Sequence, residues 1–206
     1  MLRFCLRSLG VLAIVACSLF AFQAPSRAGQ NGAFIRVGLP TLTPFGWADF
    51  CLRYEDECQG GALAPVDLAA TPANMKLVDR INRLVNHTIA PISDMDHWQV
   101  VDRWDYPADG AGDCEDYVLY KRRLLIQAGL PRQALLVTIV RDEAGDGHAV
   151  LTVKTTQGEF ILDNMTEDML PFAQTPYRFI KRQSQEDPNI WVGIGATPAG
   201  PQMVSR

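Results

Sequence analysis

The chain of 206 residues carries 19 basic against 23 acidic residues, a net charge of −4, with the basic residues scattered rather than clustered. That balance argues against a nucleic acid or an anionic membrane surface as partner. The length suffices for one domain with its own core and requires no second.

Residues 1–28 read as a leader. Arg3 and Arg7 form a basic n-region, the run from Leu9 to Phe22 is apolar and uncharged, and Ser26-Arg27-Ala28 sets small residues where a signal peptidase reads. The pattern predicts a secretory signal peptide cut after Ala28 and a periplasmic or secreted product. The run of about 14 residues is short of the roughly 20 a membrane-spanning helix needs, so no transmembrane span is expected in the mature form. A second reading takes Ile14-Val15-Ala16-Cys17 as a lipoprotein box with a lipidated Cys17. Against it, the apolar run continues past Cys17 to Phe22, where a lipoprotein turns polar. Loss of residues 1–28 leaves 16 basic against 23 acidic residues and a charge of −7.

Cys51, Cys58 and Cys114 then remain. The Cys51–Cys58 spacing can close a small loop as a disulfide, leaving Cys114 as the odd thiol; a reduced pair is the alternative. Residues 29–70 are rich in Gly, Pro, Ala and Thr without sustained periodicity. They are expected to form an extended arm over the domain, tied down at the Cys51–Cys58 loop, with the core over residues 71–206.

Thr71-Pro72 is an N-cap and first-turn pair, and Met75, Leu77, Val78, Ile81, Leu84 and Val85 keep helical spacing to about His87. Thr88 to Gly112 carries Trp98, Trp104, Tyr106 and several aspartates, which predicts a long loop or short-helix region of the kind that lines a cleft. The next helix opens with Asp113 as cap and Asp116 as a capping-box analogue, and Gly129-Leu130-Pro131 stops it. Ala134–Arg141, His148–Lys154 and Glu159–Asp163 are β-branched runs between Gly-rich turns, an antiparallel meander. Tyr177–Lys181 and Asn189–Ile194 predict two more strands. Helices followed by strands make the fold class α+β.

Gly112-Asp113-Cys114-Glu115-Asp116 sets one cysteine among three carboxylates at a helix start. Polar flanks point to a placed reactive thiol rather than a structural one. Unpaired N–H groups and the helix dipole favour a thiolate there and can receive an oxyanion. His148 and Asp163 supply the residue types of base and orienter. A two- or four-residue hairpin loop around Thr155–Gly158 gives paired residues an odd number sum, which this pair satisfies. Both side chains then project from one face, where a carboxylate can fix an imidazole tautomer. A three-residue loop would break this, and the plain alternative is a strand-edge histidine beside a surface aspartate.

Carboxylates beside a thiolate raise its pKa. Two readings resolve that conflict. Either Asp113 and Asp116 cap the helix and Glu115 is solvated, or Asp113, Glu115 and Asp116 hold a hard cation, Ca²⁺, that neutralises them. No EF-hand loop is present in the sequence.

Gly112-Asp113-Cys114-Glu115-Asp116-Tyr117, His148-Ala149-Val150-Leu151 and Leu162-Asp163-Asn164 together resemble the bacterial transglutaminase-like cysteine peptidases of the LapG type. The segment Phe50–Cys58 is similar to the family's N-terminal portion, and the resemblance covers roughly residues 44–195. It implies a papain-like, transglutaminase-like core packed on an antiparallel sheet, with Cys114 as nucleophile, His148 as base and Asp163 as orienter. It also implies calcium near the active site, with Asp113 and Glu115 the best-matched ligands and Asp116 a third. LapG-type members clip large surface adhesins near paired alanines in biofilm control, under an inner-membrane receptor that senses cyclic-di-GMP; these are the partners implied. Transglutaminase-type sites can add an indole N–H to the oxyanion hole, a use open to Trp98 or Trp104 beside ordinary packing. One departure is local: family members often carry Pro-x-Glu before the Gly-Asp-Cys string, and here Tyr106-Pro107-Ala108-Asp109 stands there. The expected function is a periplasmic calcium-dependent cysteine endopeptidase. The alternatives are a transglutaminase or cell-wall amidase using the same triad, and a non-catalytic calcium-dependent binding module.

Overall fold

The computed structural model describes residues 34–59 and 61–195; the predicted signal peptide and the Cys17 lipoprotein box lie outside them. In chain order the elements are β1 (Val37–Thr41), α1 (Phe45–Arg53), α2 (Glu55–Cys58), α3 (Pro72–Thr88), β2 (Ala90–Pro91), α4 (Asp94–Trp98), β3 (Ala111–Gly112), α5 (Cys114–Gln127), β4 (Leu135–Arg141), β5 (Gly147–Thr155), β6 (Gly158–Leu162), β7 (Leu170–Pro171), β8 (Arg178–Gln183) and β9 (Trp191–Ile194). The fold is α+β. One antiparallel sheet runs β1-β9-β8-β4-β5-β6-β7, and a parallel pair joins β2 to β3.

The two long helices start and stop as their sequences dictate. The Thr71 hydroxyl accepts the Asn74 N–H at 3.2 Å, Pro72 occupies the first turn, and Val78, Ile81 and Val85 turn inward. Helix α5 ends where Gly129 takes φ +90°, a conformation that favours glycine. It packs on α3 and on β4 and β5, burying Cys114, Val118, Leu119 and Leu125. The Tyr117 hydroxyl ties it to the end of α3 by donating to the Ile89 carbonyl at 2.6 Å.

The meander keeps its predicted register. Strands β5 and β6 pair Thr155 with Gly158 and Leu151 with Leu162, so Thr156-Gln157 is a two-residue turn. His148, opposite Val140 on β4, and Asp163, just past β6, therefore face the same side of the sheet.

Residues 34–59 depart from the expected extended arm. Strand β1 is the edge of the main sheet beside β9, and α1 buries Trp47 and Phe50 in the core. Trp47 lies 6.4 Å from both Trp104 and Trp191, ring centre to ring centre. Gly46 makes this possible, because a Cβ there would collide with the Trp104 indole. Helix α1 is nine residues long and buries only Gly46, Trp47 and Phe50, too few repeats for a helical period to stand out. The Cys51–Cys58 disulfide links α1 to α2. Beyond α2 the chain does run irregularly, bridging to the main sheet through Leu68 N–H, which donates to Lys154 O at 2.9 Å. Among the described residues no helix is long and apolar enough to cross a membrane.

Candidate active site

Cys114 is the first helical residue of α5 and is fully buried. Helix α5 packs on β5, and the Ala149 backbone N–H of that strand acts on the thiol in the direction that favours its thiolate. His148 Nε2 meets Asp163 Oδ1 at 2.9 Å, with both side chains buried. Asp163 accepts two further bonds, from the Met165 N–H at 3.0 Å and from the Tyr177 hydroxyl. Burial works against the charge of Asp163, but the bonds from His148, Tyr177 and Met165 outweigh it and hold the carboxyl below its ordinary range. An ionised acceptor requires a donor at His148 Nε2, so the tautomer is fixed with the lone pair on Nδ1. Nδ1 has no protein hydrogen-bond partner among the described residues. His148 and Ala149 are consecutive residues of β5, so the imidazole rises from the strand whose backbone acts on the thiol. Tyr177, whose ring lies 5.5 Å from the imidazole, carries no motif signal; its strand was foreseen but its role was not.

Of the three carboxylates expected to hold a metal, Asp113 and Glu115 come together and Asp116 does not join them. The third member is Asp94, buried at the start of α4, and one oxygen from each of Asp94, Asp113 and Glu115 lies within 4.8 Å of the others. The parallel β2–β3 pair creates this group by laying residues 89–94 beside 110–113, with Ile92 N–H donating to Gly112 O at 3.0 Å and Asp94 N–H to Asp113 Oδ2 at 3.3 Å. Asp94 also accepts the Arg103 N–H. Asp116 instead accepts the Asp105 N–H at 2.7 Å, and the backbone N–H of Asp113 acts on it in the direction that favours its charge, as a capping-box residue would have it. The Asp113 side chain makes no cap bond. Gly112 leaves room for Asp116, since a Cβ there would clash with that carboxylate.

Burial dominates the electrostatics of this corner. It lifts Asp113 to about 7 and Asp116 to about 8, and pushes Asp94 and Glu115 up as well, the neighbouring carboxylates adding to it at Asp113, Glu115 and Asp116. The Cys114 thiol is raised by burial first and then by Glu115 and Asp113, and it donates to Glu115 Oε2 at 3.1 Å. Asp113 Oδ1 and Glu115 Oε1 are buried without a protein hydrogen-bond partner. Buried carboxylate oxygens of this kind cost several kcal/mol unless neutralised, and hard oxygen donors suit a cation such as Ca²⁺.

The two tryptophans differ: Trp104 is buried and commits its indole N–H to Asp102 at 2.9 Å, while Trp98 is exposed, stacked on His97 and lying under Arg103. Asp109, in the place of the Pro-x-Glu carboxylate, pairs with His97 at 2.8 Å and stands outside the acidic group.

The model of the family described as bacterial transglutaminase-like cysteine proteinase matches residues 37–199. Among solved structures, calcium-bound LapG of Legionella pneumophila is similar at a TM-score of 0.51 and 21% identity, over 66% of this chain and 76% of that one. A second structure of the same LapG matches at 0.50 and 23% identity, over 60% and 71%. Curated proteins give no match.

Proposed function

Because the chain belongs to the bacterial transglutaminase-like cysteine proteinases, we propose that it is a calcium-dependent cysteine endopeptidase in which Cys114 is the nucleophile, His148 the base and Asp163 its orienter. The observation that carries this reading is the fixed imidazole. Three donors converge on Asp163, which leaves Nδ1 of His148 as the lone pair without a protein partner.

In this reading Nδ1 takes the thiol proton and the sulfur attacks the peptide carbonyl carbon. The oxyanion faces the unpaired N–H groups of the α5 N-terminus. The imidazolium returns its proton to the leaving amine, leaving a thioester. Water, deprotonated by the same nitrogen, hydrolyses the thioester and restores the thiol.

Asp94, Asp113 and Glu115 would hold the calcium. Bound there, the cation would neutralise the carboxylates that oppose a Cys114 thiolate. The orphaned Asp113 and Glu115 oxygens and the calcium bound by the Legionella neighbour support this assignment.

The reading extends to an exported enzyme, periplasmic or secreted, acting on a large surface adhesin under an inner-membrane cyclic-di-GMP receptor. The Cys51–Cys58 disulfide, a bond of oxidising compartments, supports the export, and the resemblance to LapG-type proteases supports the partners. A gene for a large repetitive adhesin or such a receptor beside this one is the expected neighbourhood.

The direct test is chemical. With calcium at pH 6, iodoacetamide should label Cys114 far faster than it labels the denatured chain, and C114A should abolish proteolysis. Equal labelling rates sink the enzyme. Cross-linked product in place of shortened product assigns the same site to acyl transfer to an amine instead.

A further inference from the structure

Asp163 lies just outside the sheet ladder: the last β5–β6 pair is Leu151 with Leu162, so the strand pairing ends one residue before it. A helix holds its backbone instead. Asn86 Nδ2, in the last turn of α3, donates to the Asp163 carbonyl at 2.9 Å and to the Thr166 carbonyl at 3.0 Å. One side-chain amide thus clasps both ends of the 163–166 turn, inside which the Met165 N–H donates to Asp163 Oδ1 at 3.0 Å. One turn earlier on the same face of α3, Asn82 Nδ2 donates to the Glu167 carbonyl at 3.1 Å.

Both asparagines serve as donors. Oδ1 of each is buried without a hydrogen-bond partner among the described residues. An orphaned buried carbonyl carries a cost that an apolar side chain of similar size, such as leucine, would not incur. Turning the Asn86 amide over would set Oδ1 against two carbonyl oxygens, so its partners fix its orientation. The same end of α3 also anchors the helix of the nucleophile. Tyr117, three residues beyond Cys114, donates its hydroxyl to the carbonyl of Ile89, the C-cap residue of α3 three positions past Asn86.

We propose that Asn86 is a positioning residue for the peptidase site: by clasping the turn that bears Asp163, it registers the orienting carboxylate to the end of α3 on which the Cys114 helix is also anchored. The inference rests on the triad reading above. Labour is divided at Asp163, where Asn86 fixes the backbone while His148 and Tyr177 meet the carboxylate that the backbone presents. Without the clasp, two turn carbonyls lose their donor and the carboxylate spends less time in the one geometry that meets His148 Nε2.

The test uses the full chain with calcium. In the wild type, the His148 Nε2–H should give a downfield proton signal that exchanges slowly with water. In N86A that proton should exchange about tenfold faster, and iodoacetamide labelling of Cys114 at pH 6 should slow by about the same factor. N82A, which removes the same kind of bond one turn away, should lower the melting temperature and leave both readouts at wild-type values. A merely structural Asn86 would behave as Asn82 does. Unchanged readouts in a folded N86A, or N82A changing them as much, overturns the proposal. Should N86A fail to fold, N86S, whose hydroxyl can recruit water into the space, carries the same two readouts. A wild-type Asn86 side-chain amide that exchanges as fast as free asparagine is fatal without any variant. Labelling of the wild type separates the two levels: slow labelling overturns the triad reading itself, and fast labelling with N86A unchanged overturns the role of Asn86 alone.

Discussion

Tyr177 shows how much of the Asp163 carboxylate's behaviour is set by a residue outside the proposed triad. Its hydroxyl takes one Asp163 oxygen and leaves the other to His148 and Met165. Bonds to charged groups are worth about 1.5–3 kcal/mol, so Y177F should lower kcat/KM about tenfold while the fold persists; an unchanged rate would remove Tyr177 from the site. The acidic corner separates in the same way. D94N and E115Q should abolish the calcium-induced rise in melting temperature, whereas D116N should keep that rise and lose only the cap, about 1 kcal/mol of stability. Lys121, buried on α5, adds a pH signature. Its folded pKa of about 7 lies below the ordinary 10.5, so between those values the unfolded chain binds the extra proton and wild-type stability climbs with pH. K121M lacks that slope, and its melting-temperature advantage at pH 7 should shrink towards pH 10. Cys114, His148 and Asp163 were legible in the sequence because the motif and the hairpin parity are local. Asp94 was not, because only the pairing of β2 with β3, a contact between distant segments, brings it to Asp113.

At the level of elements, the legible parts are those with many repeats of one period. Helices α3 and α5 and the β4–β5–β6 meander follow from caps, glycine stops and alternation, and their bounds lie within a few residues of expectation. Helix α1 is short, and its identity is decided by tryptophans packing on it from elsewhere in the chain. The α1–α2 corner is held by the disulfide and by Asn189, whose side chain accepts the Trp47 indole N–H at 3.1 Å and donates to the Cys58 carbonyl at 2.8 Å. Replacing both cysteines by serine should cost about 2–3 kcal/mol, read as a lower denaturant midpoint. The effect should stay at this corner, with calcium-dependent labelling of Cys114 retained in the protein that remains folded.

For the whole molecule, the acidic charge and the buried acidic corner point the same way. Chelating calcium with EGTA should lower activity and melting temperature together, and an unmoved melting temperature would withdraw the metal assignment. The sheet has a different consequence, for the order of events in making the protein. Strands β4, β5 and β6 are neighbours in sequence and can zip as soon as they emerge, but β1 finds its partner only in β9, where Val37 meets Ile194. Loop closure over nearly the full chain is slow compared with hairpin formation. The first strand synthesised therefore waits for the last. Until β9 arrives, the tryptophan cluster under α1 lacks Trp191, and the β8 edge that β9 will cover stays open to chaperones or to other chains.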